Sequence, residues 1–267
     1  MYKAIPILLY HSITDEVTAG FRNWSLAPAM FAAHLRYLHE QKYNAITVTQ
    51  LVRALRGDTK LPSKPIVLSF DDGLADFYTA ALPILRQVGM PASLYVVTGF
   101  LGATSGWLQA EGEAQCPMLT WTQLREIERD GIEIGAHTHT HPQLDTLSEA
   151  DAWKEIVRSK QQLEEYLGHR IESFAYPHGY HSAQVRQLVA RAGFSSACAV
   201  KHALSAADAD LYSLARVIMT NDVCVNQLDR LLQGDRLPVA PRGEPLRTKM
   251  WRLARRSLRA MEQLRIA

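Results

Sequence analysis

Short apolar runs rich in β-branched residues alternate, from the first residues to about residue 234, with longer segments whose apolar positions recur every three to four residues. The runs at residues 5–10, 45–48, 66–70, 93–97, 132–136, 173–176, 195–200 and 214–218 predict strands. Helices are expected between them. Pro28 opens a segment in which Phe31, Leu35 and Leu38 keep a helical stripe, and Thr120 caps residues 121–129, which Gly131 ends. Ser148-Glu149-Ala150-Asp151 resembles a capping box ahead of residues 152–167, which Gly168 closes. This alternation is the signature of a parallel sheet in an α/β protein.

The polar residues that interrupt the apolar runs fall at equivalent places. His11 follows the first predicted strand, Asp71 and Asp72 the third, His137 the fifth, and Pro177-His178-Gly179 the sixth. Each lies just past the C-terminal end of a strand, the edge at which parallel α/β folds bind ligands. Residues from so many strands converge only if the sheet closes, so a (β/α) barrel of seven or eight strands is expected in place of an open doubly wound sheet. A length of 267 residues suits one such barrel. With 47% hydrophobic and 21% charged residues the chain can bury a sizeable core without staples. The three cysteines, Cys116, Cys198 and Cys224, are scattered and odd in number, so no disulfide framework is expected.

Charge separates the end of the chain from the rest. Residues 242–267 hold eight basic residues against Glu244 and Glu262, a balance of +6, so with a total of +2 the remaining 241 residues carry −4. Nucleic-acid binding by the main domain is therefore not expected. The division drawn is a barrel over residues 1–241 and a basic amphipathic helix over 242–267. Leu246, Met250, Leu253, Ala254, Met261 and Leu264 share a helical arc of about 100°, with Lys249, Arg252, Arg255, Arg256 and Arg259 outside it. Two readings stay open for this helix: its apolar stripe packs on the barrel with the charges in water, or it lies peripherally on an anionic membrane, with Trp251 and Leu258 widening the apolar face. The apolar run before His11 is too short for a signal segment, and no stretch of about twenty apolar residues occurs. The expected location is the cytoplasm, or the inner membrane surface facing it.

Two motifs carry the chemistry. Ser69-Phe70-Asp71-Asp72-Gly73 places adjacent carboxylates at the end of an apolar strand, where a bound cation would relieve their repulsion. Gly135-Ala136-His137-Thr138-His139-Thr140-His141-Pro142 offers imidazoles at a metal-ligand spacing. If that segment stays extended, His137, His139 and His141 share a face; if it turns after His137, only His137 and His141 do. Two imidazoles with one carboxylate suit zinc, other first-row divalent ions remaining open, and leave coordination positions free for water and substrate.

These residues resemble the polysaccharide deacetylases with a NodB-homology domain, carbohydrate esterase family four. SFDDG is similar to the family's TFDDG, and HTHTHP to its H-[ST]-x-x-H-P. Weaker similarity runs from Leu9-Tyr10-His11 through Met118-Leu119-Thr120-Trp121 and Ala175-Tyr176-Pro177-His178-Gly179 to Leu214-Ala215-Arg216-Val217. The resemblance implies a distorted barrel with Asp71 as general base and Asp72, His137 and His141 as metal ligands, His139 standing at a variable position. It implies a metal-dependent hydrolase that removes N-acyl, chiefly N-acetyl, groups from amino sugars of a polysaccharide or lipid-linked glycan. Where relatives carry an arginine in the third motif this chain has Ala175, so Arg216 is the candidate replacement beside Asp71. The late histidine that serves many relatives as general acid has no clear counterpart. His11 is the candidate substitute, with His178 and His202 as rivals. Tyr176, Pro177 and His178 are the candidate oxyanion-binding and substrate-binding segment. Two other readings compete: a metal-independent glycoside hydrolase using Asp71 and a second acid, and a glycan-binding barrel with little or no turnover.

Overall fold

The computed structural model of the chain describes residues 4–235, 237–240 and 246–266, with side chains in the last segment as far as Ser257. In chain order the elements are β1 (Ala4–Ile5), β2 (Ile7–Tyr10), α1 (Pro28–Glu40), β3 (Asn44–Ile46), α2 (Val48–Arg56), β4 (Pro65–Phe70), α3 (Leu82–Val88), β5 (Ser93–Val96), α4 (Trp121–Arg129), β6 (Glu133–Ala136) and α5 (Glu149–Leu167). They continue with β7 (Ser173–Ala175), α6 (Ala183–Arg191), β8 (Ser196–Cys198), β9 (Ser205–Ala206), β10 (Val217–Ile218), α7 (Val225–Leu232) and α8 (Leu246–Ile266). The expected helix starts are present. Thr120 accepts the Gln123 N–H at 3.3 Å and Ser148 the Asp151 N–H at 3.1 Å, caps that each contribute about 1 kcal/mol.

Eight parallel strands curl in the order β10-β2-β4-β5-β6-β7-β8, with β3 beside the first half of β4. Residues 214–218 span the seam. Leu214 exchanges backbone hydrogen bonds with Ala197 and Ala199 next to β8, whereas Val217 and Ile218 pair with Leu8 and Leu9 of β2. A single segment that changes partners within three residues thus closes a distorted barrel, in agreement with the fold expected. The small antiparallel pair of β1 with β9 was not anticipated.

Strand alternation sorts the side chains into two cores. Leu8, Tyr10, Ile66, Leu68, Phe70, Leu94 and Phe174 point outward under the helices. Ile7, Val67, Tyr95, Ala175, Cys198 and Leu214 point inward and plug the lower barrel. Further along the same inward face stand His11 and Asp71, four residues after Ile7 and Val67, Arg216, two after Leu214, and His137, two after Gly135 of β6. The inward core is therefore the floor on which the polar rim rests. Gly135 is part of that floor, because a Cβ there would lie 2.5 Å from two ring carbons of Tyr95.

The docking of α8 departs from the expectation that its apolar stripe packs on the barrel with the charges in water. Among its described side chains, Arg252, Arg255 and Arg256 make the ion pairs and most hydrogen bonds to the barrel, with Trp251 donating to Tyr180, while Leu246, Met250 and Leu253 are 73%, 64% and 63% exposed. Asp145, almost fully buried on the short turn Leu144–Thr146, accepts Arg255 Nη1 at 2.8 Å, Arg255 Nη2 at 2.7 Å and Arg252 Nε at 3.0 Å. The Asp145 backbone carbonyl accepts Arg256 Nε at 2.7 Å. A buried carboxylate left unpaired is costly, so the charged face of the helix turns inward and the apolar face stays out. The boundary drawn at residues 241 and 242 lies in a segment outside the described residues, as do the side chains of Leu258, Met261 and Leu264.

Gly135→Ala is expected to destabilise the barrel by about 1–3 kcal/mol, the usual cost of overpacking a filled core. Chemical denaturation measures it, and an unchanged midpoint would mean that Tyr95 can move aside freely.

Candidate active site

The two acids leave β4 through a backbone turn in which Asp72 and Gly73 take φ of 73° and 78°. The left-handed pair swings the Asp72 carboxylate back over the barrel mouth beside Asp71. The histidine segment turns as sharply, with φ of 67° at Thr138 and 62° at His141. Such backbone costs about 1–3 kcal/mol per residue unless its surroundings enforce it. Here they do. Glu155 of α5 accepts the N–H groups of His139 and Thr140 at 2.9 and 2.7 Å, and Thr138 Oγ1 accepts the His141 N–H at 2.9 Å. The segment therefore turns, His137 and His141 face each other with ring centres 4.9 Å apart, and His139 hydrogen-bonds Thr98 instead.

Asp72, His137 and His141, all buried, bring three ligand atoms within 4.8 Å of one another. His137 donates its Nδ1–H to the Ala175 carbonyl at 2.8 Å, which fixes the tautomer and leaves the Nε2 lone pair aimed at the acids. Nε2 of His137 lies 3.6 Å from Asp72 Oδ1, and Nε2 of His141 lies 3.4 Å from the same oxygen. Burial holds both imidazoles below their ordinary value, hence neutral. Burial, then the neighbouring Asp71 charge, pushes the Asp72 carboxyl well above its ordinary value. A carboxylate opposed by burial and by a second carboxylate, and faced by two neutral nitrogen donors, fits a divalent cation.

Asp71 has a different partner. Arg216, fully buried, grips it bidentately with Nη1–Oδ1 at 2.6 Å and Nη2–Oδ2 at 2.7 Å, and its Nε donates to the Ala199 carbonyl at 3.1 Å. Burial alone would raise the Asp71 carboxyl, but the guanidinium, with His137 beyond it, outweighs that and leaves it below the ordinary value. Adjacent acids are thereby driven apart: one is held ionised by an arginine, while the other waits on a cation.

Around them is a cavity of about 230 Å³ lined by His11, Trp24, Glu111, His178 and Tyr180 as well as the metal-site residues. His11 stands edge-on to Trp24 at 5.0 Å, and burial first of all pushes its imidazole down to about 4. It lines the cavity in place to pass a proton and is neutral at rest. His178 sits at the mouth with its ring 4.8 Å from His141. His202 is exposed, accepts the Ile218 N–H at 3.3 Å, and does not line the cavity.

The expected Tyr176 and Pro177 contacts need correction. Tyr176 faces outward, its hydroxyl donating to the Tyr212 carbonyl at 2.9 Å and its N–H to the Cys198 carbonyl at 3.1 Å. Pro177 has no N–H, and Gly179 and Tyr180 donate theirs to Tyr176 and Pro177. That leaves His178, whose φ of 55° turns it out of the run, as the N–H this segment can offer. Trp24, Glu111 and Tyr180 were not anticipated, because no local motif marks them.

Arg216→Met is expected to move the acidic limb of the pH–rate profile upward. The Asp71 carboxyl lies below its ordinary value in the native protein, so removing the cation raises it and the base protonates at higher pH. Stability should also fall by about 3–5 kcal/mol, since the carboxylate stays buried without its partner. Arg216→Lys, which keeps the charge without the fork, should shift the limb less. An unmoved limb in both variants would remove Asp71 from the rate.

Comparison with known proteins meets this geometry from outside. The family model described as polysaccharide deacetylase matches residues 58–197, just over half of the chain. The protein YxkH of Bacillus subtilis is 26% identical over 213 residues, covering 80% of this chain and 70% of that one. The poly-beta-1,6-N-acetyl-D-glucosamine N-deacetylase of Escherichia coli strain K12 is 24% identical over 262 residues, 83% of this chain but 37% of that protein, so this chain spans little more than a third of it. Among solved structures, the Streptococcus pyogenes deacetylase PplD in complex with acetate superposes with a TM-score of 0.75 at 27% identity, covering 86% of this chain and 98% of that one. The chain belongs to the polysaccharide deacetylase family, metal-dependent hydrolases that cleave N-acyl groups from carbohydrates.

Proposed function

We propose that this chain removes N-acetyl groups from a polymer of N-acetylglucosamine type, with zinc as its divalent ion. The observation that carries the reading is the division of labour between Asp71, held ionised by Arg216, and Asp72, set against two neutral imidazoles. The E. coli relative, a deacetylase of a β-1,6-linked N-acetylglucosamine polymer, supports the substrate class. Zinc is favoured by the donor set of two imidazole nitrogens and one carboxylate, a three-ligand pattern common to hydrolytic zinc sites.

Asp72, His137 and His141 would hold the divalent ion, which would supply Lewis acidity at the site of acyl cleavage. The remaining work falls to the protein's own groups. Asp71 accepts the proton of the attacking water, and Arg216 orients both carboxylate oxygens for that task. The His178 N–H donates to the acyl oxygen as it gains negative charge. The C–N bond then breaks, and the amine leaves with the proton that Asp71 took from the water, passed on through the neutral ring of His11. Acetate and a free amino sugar are the products.

A metal-independent glycoside hydrolase is disfavoured because the acid next to Asp71, Asp72, faces two neutral imidazoles in a metal-type donor set, which a pair of glycosidase carboxyls does not need. The discriminating experiment is a mass-spectrometric screen of acylated amino-sugar oligomers with and without zinc. Loss of acetyl that stops with a chelator supports the proposal, whereas chelator-resistant release of reducing sugar would reverse it. Within that assay, Asp71→Asn should retain the metal and lose about 10²–10⁴ in rate. His141→Ala should lose metal and activity together, as read by elemental analysis.

For α8 the peripheral membrane reading takes a new form. Arg252, Arg255 and Arg256 are engaged with the barrel, so lipid contact would fall to the exposed row Leu246, Met250 and Leu253, flanked by Arg247 and Lys249. Changing Leu246, Met250 and Leu253 together to Ser leaves the arginine docking intact. This variant should lose any salt-sensitive co-sedimentation with anionic vesicles; equal sedimentation of variant and parent would discard the membrane contact.

A further inference from the structure

The catalytic cavity holds about 230 Å³, below the roughly 300–1,000 Å³ of sites that enclose a whole ligand. A glycan polymer acted on there must therefore rest most of its length on the rim. The rim is not furnished by the barrel alone. Tyr180 lines the cavity, with the ring of His178 5.9 Å away on one side and the Arg255 guanidinium stacked 3.7 Å from its centre. Arg255 belongs to α8, as does Trp251 one helical turn earlier, whose indole N–H donates to the Tyr180 hydroxyl at 3.3 Å. Trp251 is half exposed.

We propose that Trp251 and Tyr180 together form a glycan subsite adjoining the catalytic cavity, one that takes a neighbouring amino-sugar unit of the chain being deacylated. The inference rests on the deacetylase reading and adds a binding residue from a helix that lies outside the family-matched residues 58–197. Two properties favour a sugar. A half-open indole is a large apolar surface with a polar edge, suited to a pyranose that presents C–H groups on its face and hydroxyls at its rim. Where the neighbouring unit has already lost its acyl group, its ammonium is also attracted to an aromatic face. The platform is rigid as well. Buried Asp145 clamps Arg252 and Arg255, one and four residues after Trp251, so little ordering remains to be done when the glycan arrives.

The test is the dependence of kcat/KM on oligomer length, from N-acetylglucosamine itself to the hexamer, for the native protein, Trp251→Ala and Trp251→Phe. Isothermal titration of the same oligomers against zinc-loaded protein carrying Asp71→Asn, with and without Trp251→Ala, gives a binding readout independent of turnover. Trp251→Ala should raise KM for the dimer and longer oligomers about five- to tenfold with kcat changing little, should weaken their binding by the same factor, and should have no such effect on the monomer, which does not reach the subsite. Trp251→Phe should restore most of the loss. Equal length profiles for native and Ala proteins, or a Phe variant as weak as Ala, would overturn the subsite. Loss of vesicle binding by Trp251→Ala with an unchanged length profile would overturn it in favour of a lipid contact. Absence of deacetylation by every protein would instead remove the catalytic reading, and the titrations would then decide the subsite separately.

Discussion

The bidentate pair between Arg216 and Asp71 is the interaction on which the rest of the site depends. Two carboxylates that follow each other in sequence cannot both stay ionised in a buried pocket without compensation. The guanidinium neutralises one of them inside the barrel, which leaves a single uncompensated acid, Asp72, facing His137 and His141. Removing a charge pair from water is expensive, and the cost is offset only where geometry is good and the remaining donors are satisfied. Arg216 meets that condition: both Nη atoms bind Asp71 and Nε binds the Ala199 carbonyl. The same residue thus secures a base and defines a metal-binding position.

That pair is in turn a product of barrel closure. Leu214 and Arg216 lie on one face of a segment that begins beside β8 and ends beside β2. Leu214 joins the inward floor, and Arg216, two residues on, stands above the Tyr95 ring, 5.7 Å from its centre. Because Gly135 makes room for that ring, a residue without a side chain indirectly sets the height at which the arginine meets the acid. Packing, closure and electrostatics here form one chain of causes.

A second buried carboxylate governs the other end of the molecule. Asp145 draws Arg252 and Arg255 inward and so reverses the face that α8 would present if hydrophobicity alone decided. Its contacts reach the catalytic mouth through Tyr180, giving the basic C-terminal helix a structural connection to the site. In both places an arginine distant in sequence resolves the charge of an acid at a strand end or turn.

What the sequence determined by itself was the local part. Period-two and period-3.6 patterns placed most strands and helices, because each depends on side chains a few residues apart. The motifs at Asp71–Asp72 and His137–His141 were legible for the same reason, and Thr138 and Gly73 lie within them. The tertiary structure alone decided the rest. It turned the histidine segment so that His139 left the cluster, committed the Tyr176 N–H to Cys198, and brought Trp24 and Tyr180 to the rim. It also set Arg216 against Asp71 across the closed barrel and seated α8 by its arginines. Each of those outcomes depends on which distant group needs a partner once water is excluded, and desolvation of Asp71 and Asp145 exists only after the chain has closed around them.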